Sequence, residues 1–385
     1  MRKFSFFSRK DSQSKTPINH SRIYWIDICK AYGMILVFYG HIWLASSIPN
    51  NYALLQNKFI YSFHMPLFFM LSGFFANVNT QKFDLFFKNK IFTRLVPVLV
   101  FNVLLFICEL LLSIIAHTFS FKDYLEQLTN LIRGQASLNV PTWFLVCLFT
   151  TELIHFYISR KITSQKGRLI SVIVFYALGI IVTRKMSLVS HITGIAPNFW
   201  YIHESLIAYS FFLLGFILNQ SKILEKIKQS PVKYFYLILT AIVLLATFNL
   251  NKGLYSRDGD FTVVLMVSSM HGHPIWFLVT ALAGSFALIF LSQVTPKNRI
   301  LLFLGENTLV LLGLNGFFRN IFNPMIVKSL PPEAFNGHYR LILVGSLVTI
   351  VSLIACVPGI LFFNKFFPQV IGRPKEKGPV LPNLI

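Results

Sequence analysis

The chain has 385 residues, of which 55% are apolar and 13% are charged, and its mean hydropathy is +0.62. Soluble domains carry about a quarter charged residues, so this composition excludes an ordinary soluble domain and is typical of a polytopic membrane protein. The net charge of +21 falls in short segments between apolar runs, without a nucleic-acid-binding motif. This distribution is explained by the orientation of the chain in the membrane and by attraction to anionic lipids. It does not indicate a nucleic acid as a partner.

The cysteines predict no disulfide framework, and the N-terminal segment predicts no cleaved signal peptide. All four cysteines lie within apolar segments without a C-x-x-C pair, which predicts buried free thiols and no zinc site. No small-residue cleavage site follows the first apolar run, which indicates a retained helix. We expect 1–22 to be a basic cytoplasmic tail, 23–363 a transmembrane domain and 364–385 a cytoplasmic C-terminal tail.

Ten apolar runs are candidates for membrane-spanning helices, since about 20 such residues cross the hydrocarbon layer. They cover 25–46, 58–78, 95–117, 141–159, 169–183, 200–219, 234–250, 274–293, 300–318 and 340–363. With the N-terminus in the cytoplasm, alternation places 24 Lys and Arg residues inside and 10 outside, as the positive-inside rule favours. The predicted fold class is an all-α polytopic integral membrane helix bundle of about ten transmembrane helices, with both termini cytoplasmic. The segment 261–269 is too short to span and predicts an external strand or a re-entrant piece.

Three polar residues interrupt the first apolar run, namely Asp27, Lys30 and His41. On a helix, residues 11 apart are rotated by about 20° beyond three turns, so Lys30 and His41 share a face about 16 Å apart along the axis. Asp27 lies about 40° from His41 and can pair with Lys30 as an i,i+3 neighbour. Such a stripe favours a bundle interior or a water-filled cavity. The alternatives are an interfacial Asp27–Lys30 pair with a snorkelling lysine, and a hydrogen-bonded structural His41.

The second apolar run carries His64 about two turns from its outer end, in YSFHMPLFFMLSGFF. Because this run returns toward the cytoplasm, His64 and His41 are predicted at similar depth in the outer half of the membrane. Two histidines at one depth suit either a base and its helper or a metal site. A third ligand at suitable spacing is missing from the sequence, so we expect no metal.

Several motifs resemble the membrane acyltransferase-three family, which includes the fucose 4-O-acetylase-like proteins. The family opens with Arg or Lys, ten residues and His, as Lys30 and His41 do here. FHMPLFFMLSGFF (63–75) is similar to its second-helix signature, and KNKIFTRLVPVLV (88–100) to its basic loop. TWFLVCLFTTELI (142–154) resembles its Trp-Phe-Leu helix, and the likeness covers nearly the whole chain.

The chain departs from this family's pattern at two positions. Asn315 stands where the family often has His near the ninth helix, so that histidine's role does not carry over. Ile91 replaces the first Arg of the Arg-x-x-Arg pattern that ends at Arg94. Lys88 and Lys90 can supply charge there, but not the planar, bidentate recognition of phosphate that Arg gives.

The resemblance implies an O-acyltransferase that moves an acyl group, usually acetyl, from cytoplasmic acyl-CoA to a carbohydrate hydroxyl. The implied co-substrate is acetyl-CoA or another acyl-CoA, with no metal cofactor. The implied acceptor is a cell-surface polysaccharide, such as lipopolysaccharide, or a lipid-linked glycan. The implied location is a bacterial cytoplasmic (inner) membrane, in which the protein is a multi-pass integral component.

Site roles follow from this resemblance and from the helix geometry. We expect the catalytic residues to be His41 and His64, the acyl-CoA-binding residues to be Lys30, Asp27, Lys88, Lys90 and Arg94, and acceptor or tunnel residues to be Trp143, Glu152 and Glu204. A positioned imidazole can take the proton of a sugar hydroxyl, which assigns the general base to His41. His64 would then stabilise the oxyanion or orient the acceptor. A ping-pong scheme through an acyl-histidine is the mechanistic alternative.

The main rival function is a transporter or flippase for lipid-linked sugars, because charges within many spans also suit transport. Transporters often show inverted repeats and paired broken helices. The sequence has no second copy of the Lys30–His41 stripe. Basic residues also mark the predicted last external loop, and they suit either an anionic glycan or a solvated rim. They are Arg319, Lys328, His338 and Arg340.

Overall fold

A computed structural model describes residues 23–45, 51–78, 80–252, 255–256 and 262–385. The predicted N-terminal tail lies outside the described residues. The first helices are α1 (Tyr24–Ala45), α2 (Asn51–Tyr61), α3 (His64–Phe74), α4 (Phe83–Lys90), α5 (Val96–Ile115) and α6 (Phe121–Ile132). The middle helices are α7 (Trp143–Lys161), α8 (Gln165–Arg184), α9 (Met186–Thr193), α10 (Ile202–Ser221), α11 (Ile223–Gln229) and α12 (Val232–Thr247). The last are α13 (Pro274–Val294), α14 (Arg299–Glu306), α15 (Thr308–Phe317), α16 (Asn323–Ser329) and α17 (His338–Phe366).

Shorter elements connect these helices. Two π-helical segments, Ile91–Leu95 and Phe318–Phe322, continue α4 into α5 and α15 into α16. Single turns of 3₁₀ helix cover Val140–Thr142, Phe199–Tyr201, Met266–Ser268, Pro332–Phe335 and Pro368–Ile371. Strands β1 (Tyr255–Ser256) and β2 (Thr262–Val263) pair antiparallel. Strand β2 lies within the segment predicted to be an external strand or a re-entrant piece.

The described helices form an all-α polytopic bundle, as predicted. Seven stretches are long and apolar enough to cross a membrane, and an eighth results if α11 and α12, bent by 111°, form one span. The seven are Phe83–Ile115, Val140–Lys161, Gln165–Arg184, Phe199–Ser221, Pro274–Val294, Thr308–Ser329 and His338–Phe366. The first two predicted spans correspond to α1 and to the broken pair α2–α3, which are not among these seven.

The second predicted span is broken because of Pro66. Proline has no N–H to donate and its ring clashes with the carbonyl of the preceding turn, so beyond the first turn it kinks or breaks a helix. The chain accordingly leaves helical geometry at Phe63, with φ −143° and ψ −19°, and α3 begins at His64. The break places His64 at the first position of α3, two residues before the proline.

Helices α7 and α10 lie mostly inside the bundle, whereas the apolar windows of α5 and α8 face largely outward. A reciprocal glycine contact fixes α3 against α10. A Cβ on Gly73 would lie 1.8 Å from the Phe212 carbonyl oxygen, and a Cβ on Gly215 would lie 1.9 Å from the Met70 carbonyl oxygen. The two backbones therefore touch directly at this crossing, as small residues permit between membrane helices.

Helix α1 runs alongside α14 and α15 in the same direction. At one end, a Cβ on Gly305 would meet the carbonyl oxygen of Asp27 at 1.9 Å. At the other end, the side chains of His41 and Asn315 form a hydrogen bond. Because Asp27 is level with Gly305 and His41 with Asn315, residues that follow Asn315 lie beyond His41, away from Lys30.

Candidate active site

A single cavity of about 650 Å³ contains both ends of the α1 stripe. Lys30 and His41 line it, and Met34 and Val37 lie between them on the same face of the helix. Thus the 11-residue spacing does place the ammonium and the imidazole along one cavity.

Asn315 fixes the imidazole of His41 at one end of the cavity. The Nδ1 of His41 donates a hydrogen bond to Oδ1 of Asn315, whose side chain is fully buried. A neutral imidazole has one proton, so donation from Nδ1 leaves Nε2 as an acceptor. The ring is oriented and its tautomer is set, which are the requirements for a general base.

His64 and Tyr61 complete this end of the cavity. The Nδ1 of His64 donates to the carbonyl oxygen of Ile60 at 2.9 Å, so its Nε2 is likewise unprotonated in the neutral ring. The Tyr61 ring makes edge contacts with both imidazoles, at centroid distances of 4.7 Å to His64 and 6.3 Å to His41. In the described part of the chain, the buried hydroxyl of Tyr61 has no hydrogen-bond partner, although the residue lines the cavity.

The opposite end of the cavity carries cations that are held by carboxylates. Lys30 Nζ lies 3.2 Å from Asp27 Oδ1 and 5.1 Å from the centre of the Phe75 ring. Arg94, which also lines the cavity, is bound by both oxygens of Glu152, at 3.0 Å from Nε and 2.9 Å from Nη2. This bidentate pairing fixes the guanidinium. Nη1 also donates to the carbonyl oxygen of Thr93 at 3.4 Å, which leaves two of the five N–H groups for a ligand.

The other predicted donor-site residues occupy different positions around this cluster. Lys90 donates to Glu152 Oε1 at 2.7 Å, so Glu152 is the shared counterion of two cations. Lys88, two residues before Lys90, is exposed. The structure therefore brings Lys90 and Glu152 into one ion cluster with Arg94, and it leaves Lys88 at the surface.

Trp143 and Glu204, the remaining predicted site residues, differ in position: one lines the cavity and the other does not. Trp143 lines the cavity and packs edge-on against Phe69, with ring centroids 6.3 Å apart. Glu204 is fully buried, and its Oε1 lies 3.0 Å from Nε2 of His271, which belongs to the turn before α13. This pair ties the turn to α10, and neither residue is among those that line the cavity.

Sequence reasoning missed the roles of three residues at the His41 end: Tyr61 and Arg319, which line the cavity, and Asn315, which lies behind His41 and bonds its ring. Arg319 was assigned to a basic external loop, which is wrong, because it lies in the π-helical segment Phe318–Phe322 and lines the cavity. The signal for it was available, since Asn315 and Arg319 are four residues apart and share a helix face. Its placement beside His41 depends on helix packing that spacing alone does not give.

Comparison with known proteins gives one match. A model of the protein family described as an acyltransferase domain matches residues 23–360, nearly the whole chain. The search of curated proteins and the search of solved structures give no match. The matched range contains both ends of the cavity, the ion cluster on Glu152 and the His41–Asn315 pair.

Proposed function

Because the chain belongs to the membrane acyltransferase-three family, we propose that it moves an acetyl group from cytoplasmic acetyl-CoA to a hydroxyl of a carbohydrate or lipid-linked glycan. The protein would do so within a bacterial cytoplasmic membrane. Its family membership makes it an acyltransferase, and the proposal adds the donor, the acceptor class and the residues that act on them.

One observation carries the proposal: Lys30 and His41 line the same cavity, and Asn315 leaves Nε2 of His41 free to accept a proton. A cation at one end suits the phosphates of a nucleotide, and a neutral imidazole at the other suits a reacting hydroxyl. The helical rise between them, about 16 Å, gives room for the slender pantetheine arm that joins phosphate to thioester.

At the donor end, Lys30 and Arg94 would contact the phosphates, with Lys88 attracting them from the surface. Asp27 and Glu152 hold these cations in place and reduce the local positive charge. Fixed, partly compensated cations release a product more readily than bare ones, because less Coulomb energy is lost when CoA leaves.

At the acyl end, Nε2 of His41 takes the hydroxyl proton while the hydroxyl oxygen attacks the thioester carbonyl carbon. The tetrahedral intermediate then breaks its carbon–sulfur bond, and the proton on His41 passes to the departing thiolate. The Tyr61 hydroxyl, buried without a partner in the described structure, suits donation to the oxyanion, and His64 suits orientation of the acceptor. In the ping-pong alternative, His41 itself would carry the acyl group between two half-reactions.

The test is acetyl transfer from labelled acetyl-CoA to a glycan acceptor by the purified protein in nanodiscs. We expect His41→Ala to lose at least about 100-fold in kcat, the usual contribution of a general base. His191→Ala is the matched control, because this exposed histidine of α9 lies on another part of the bundle and its loss should leave transfer unchanged.

Lys30→Met tests the donor end in the same assay. The KM for acetyl-CoA should rise about tenfold, as expected for loss of one charged hydrogen bond, while kcat changes little. Lys328→Met, at an exposed site on α16, is its control. Wild-type transfer by the His41 variant would overturn the base assignment. Movement of a lipid-linked sugar without label incorporation would instead support the transporter.

A further inference from the structure

The Arg319 guanidinium is a cavity cation at the opposite end from Lys30. Its residue follows Asn315 by four positions, so it lies about 6 Å further along the helix than the partner of His41. Since α15 runs parallel to α1, this position is beyond His41, on the side from which an acceptor would approach if the donor occupies the Lys30 end. Arg319 is half-buried and lines the same cavity as both residues.

The guanidinium is held in place by an amide. Nη1 of Arg319 donates to Oδ1 of Asn320 at 2.8 Å. The amide nitrogen of Asn320 donates in turn to Oε1 of Glu109 at 2.8 Å and to the carbonyl oxygen of Leu138 at 3.0 Å. Glu109 is therefore linked to Arg319 only through the neutral amide of Asn320. These bonds fix the orientation of the Arg319 side chain before any ligand binds.

Arg319 lacks, among the described residues, the carboxylate partner that Arg94 has. Both arginines lie in π-helical segments and both line the cavity. Arg94 is bound by both carboxylate oxygens of Glu152, whereas Arg319 forms no ion pair within the described part of the chain. A half-buried guanidinium in a membrane protein is costly unless an anion pairs with it, and such residues mark ligand sites.

We propose that Arg319 binds an oxyanion group of the acceptor, a carboxylate or a phosphate, so that the acceptor is an acidic sugar. This inference rests on the proposed acyl transfer and names its acceptor class. The planar fork of the guanidinium holds either oxyanion with two hydrogen bonds. An acceptor anchored there presents a hydroxyl of the same or the neighbouring sugar ring to Nε2 of His41, about one helical turn away.

The test compares three acceptors with labelled acetyl-CoA and the protein in nanodiscs: a neutral hexoside, the matching uronate and the matching sugar phosphate. We expect the wild type to prefer an anionic acceptor. Arg319→Gln should raise the KM for that acceptor about 10- to 100-fold, the loss of a charged hydrogen-bond pair. It should leave kcat/KM for the neutral hexoside within about threefold, as for loss of an interaction that the hexoside does not make.

The control variants separate this role from others. Arg299→Gln removes an exposed arginine at the start of α14, and it should leave the acceptor preference unchanged. Arg319→Lys, which keeps the charge without the fork, should retain part of the preference. Preference for the uronate identifies the carboxylate and preference for the sugar phosphate identifies the phosphate.

Two results would overturn the inference. One is a wild type that acylates all three acceptors equally well. The other is an Arg319→Gln variant that loses kcat equally on neutral and anionic acceptors at unchanged thermal stability, because the arginine would then act on the reacting carbonyl. Failure of the underlying acyl transfer is distinguishable, since the wild type would then acylate none of the acceptors.

Discussion

The bond between Asn315 and His41 makes the sharpest prediction, because one substitution separates the tautomer of the base from its presence. In Asn315→Leu, a side chain of similar size fills a fully buried site but offers no acceptor to Nδ1 of His41. The imidazole then has no partner to hold its proton on Nδ1. Either the proton moves to Nε2, which can then no longer accept a proton from the hydroxyl, or it stays on Nδ1 as a buried donor without a partner.

The expected loss follows from the missing acceptor. A buried donor left without a partner costs about 1–3 kcal/mol. Since 1.36 kcal/mol corresponds to a factor of ten in rate, kcat of Asn315→Leu should fall by about 5- to 150-fold. The loss should be smaller than that of His41→Ala, because the ring remains in the cavity. The KM for acetyl-CoA should hold, since Asn315 lies far from Lys30 along the stripe.

The assay is the same acetyl transfer, with kcat and KM measured beside a thermal melt in detergent. Asn315→Asp keeps an acceptor oxygen at the same place and should retain more activity than the leucine variant. Asn364→Leu is the structural control, because it removes another part-buried amide bond, 2.7 Å to Asn307, from a different region. If Asn315→Leu melts like this control and still turns over at the wild-type rate, the reasoning about the tautomer is refuted.

Three further substitutions test other parts of the structure. Glu152→Gln leaves Lys90 and Arg94 without their shared counterion, so it should lower the free energy of unfolding by about 3 kcal/mol in a detergent melt; an unchanged melt would show that the cluster is not structural. Gly73→Ala inserts a methyl group against the α10 backbone and should destabilise the fold by about 3 kcal/mol, with Gly194→Ala, whose site is open but has positive φ, as the milder comparison. Lys88→Ala should raise the KM for acetyl-CoA by about two- to fivefold at low salt only, since exposed charges act weakly and are screened; an equal effect at high salt would contradict a surface role.

Helical periodicity correctly predicted the relations between residues that lie on the same helix. The rotation between residues 11 apart placed Lys30 and His41 on one face, and both line the cavity. The i,i+3 spacing of Asp27 and Lys30 also predicted an ion pair that the structure contains. Such inferences need only the geometry of an α-helix, which a sequence reveals directly.

Contacts between distant segments were beyond that reasoning. The partner of His41 is Asn315, 274 residues later, and the bond requires α1 and α15 to run parallel at the same depth. Glu204, predicted to contact an acceptor, pairs with His271 inside the bundle, 67 residues away in sequence. Neither pairing leaves a local pattern, because the choice of helix neighbours depends on side-chain packing over the whole bundle.

The reach of the cavity along α1 has a consequence for the energetics of the proposed reaction. If transfer takes place at His41, an acetyl group moves outward from the Lys30 end, while the hydroxyl hydrogen returns inward on the thiol of CoA. Both groups are electrically neutral, so the membrane voltage does no work on the exchange and the thioester alone drives it. A charged acyl group such as succinyl would instead couple each turnover to voltage, by up to about 2.3 kcal/mol per 100 mV for a charge that crosses the full membrane.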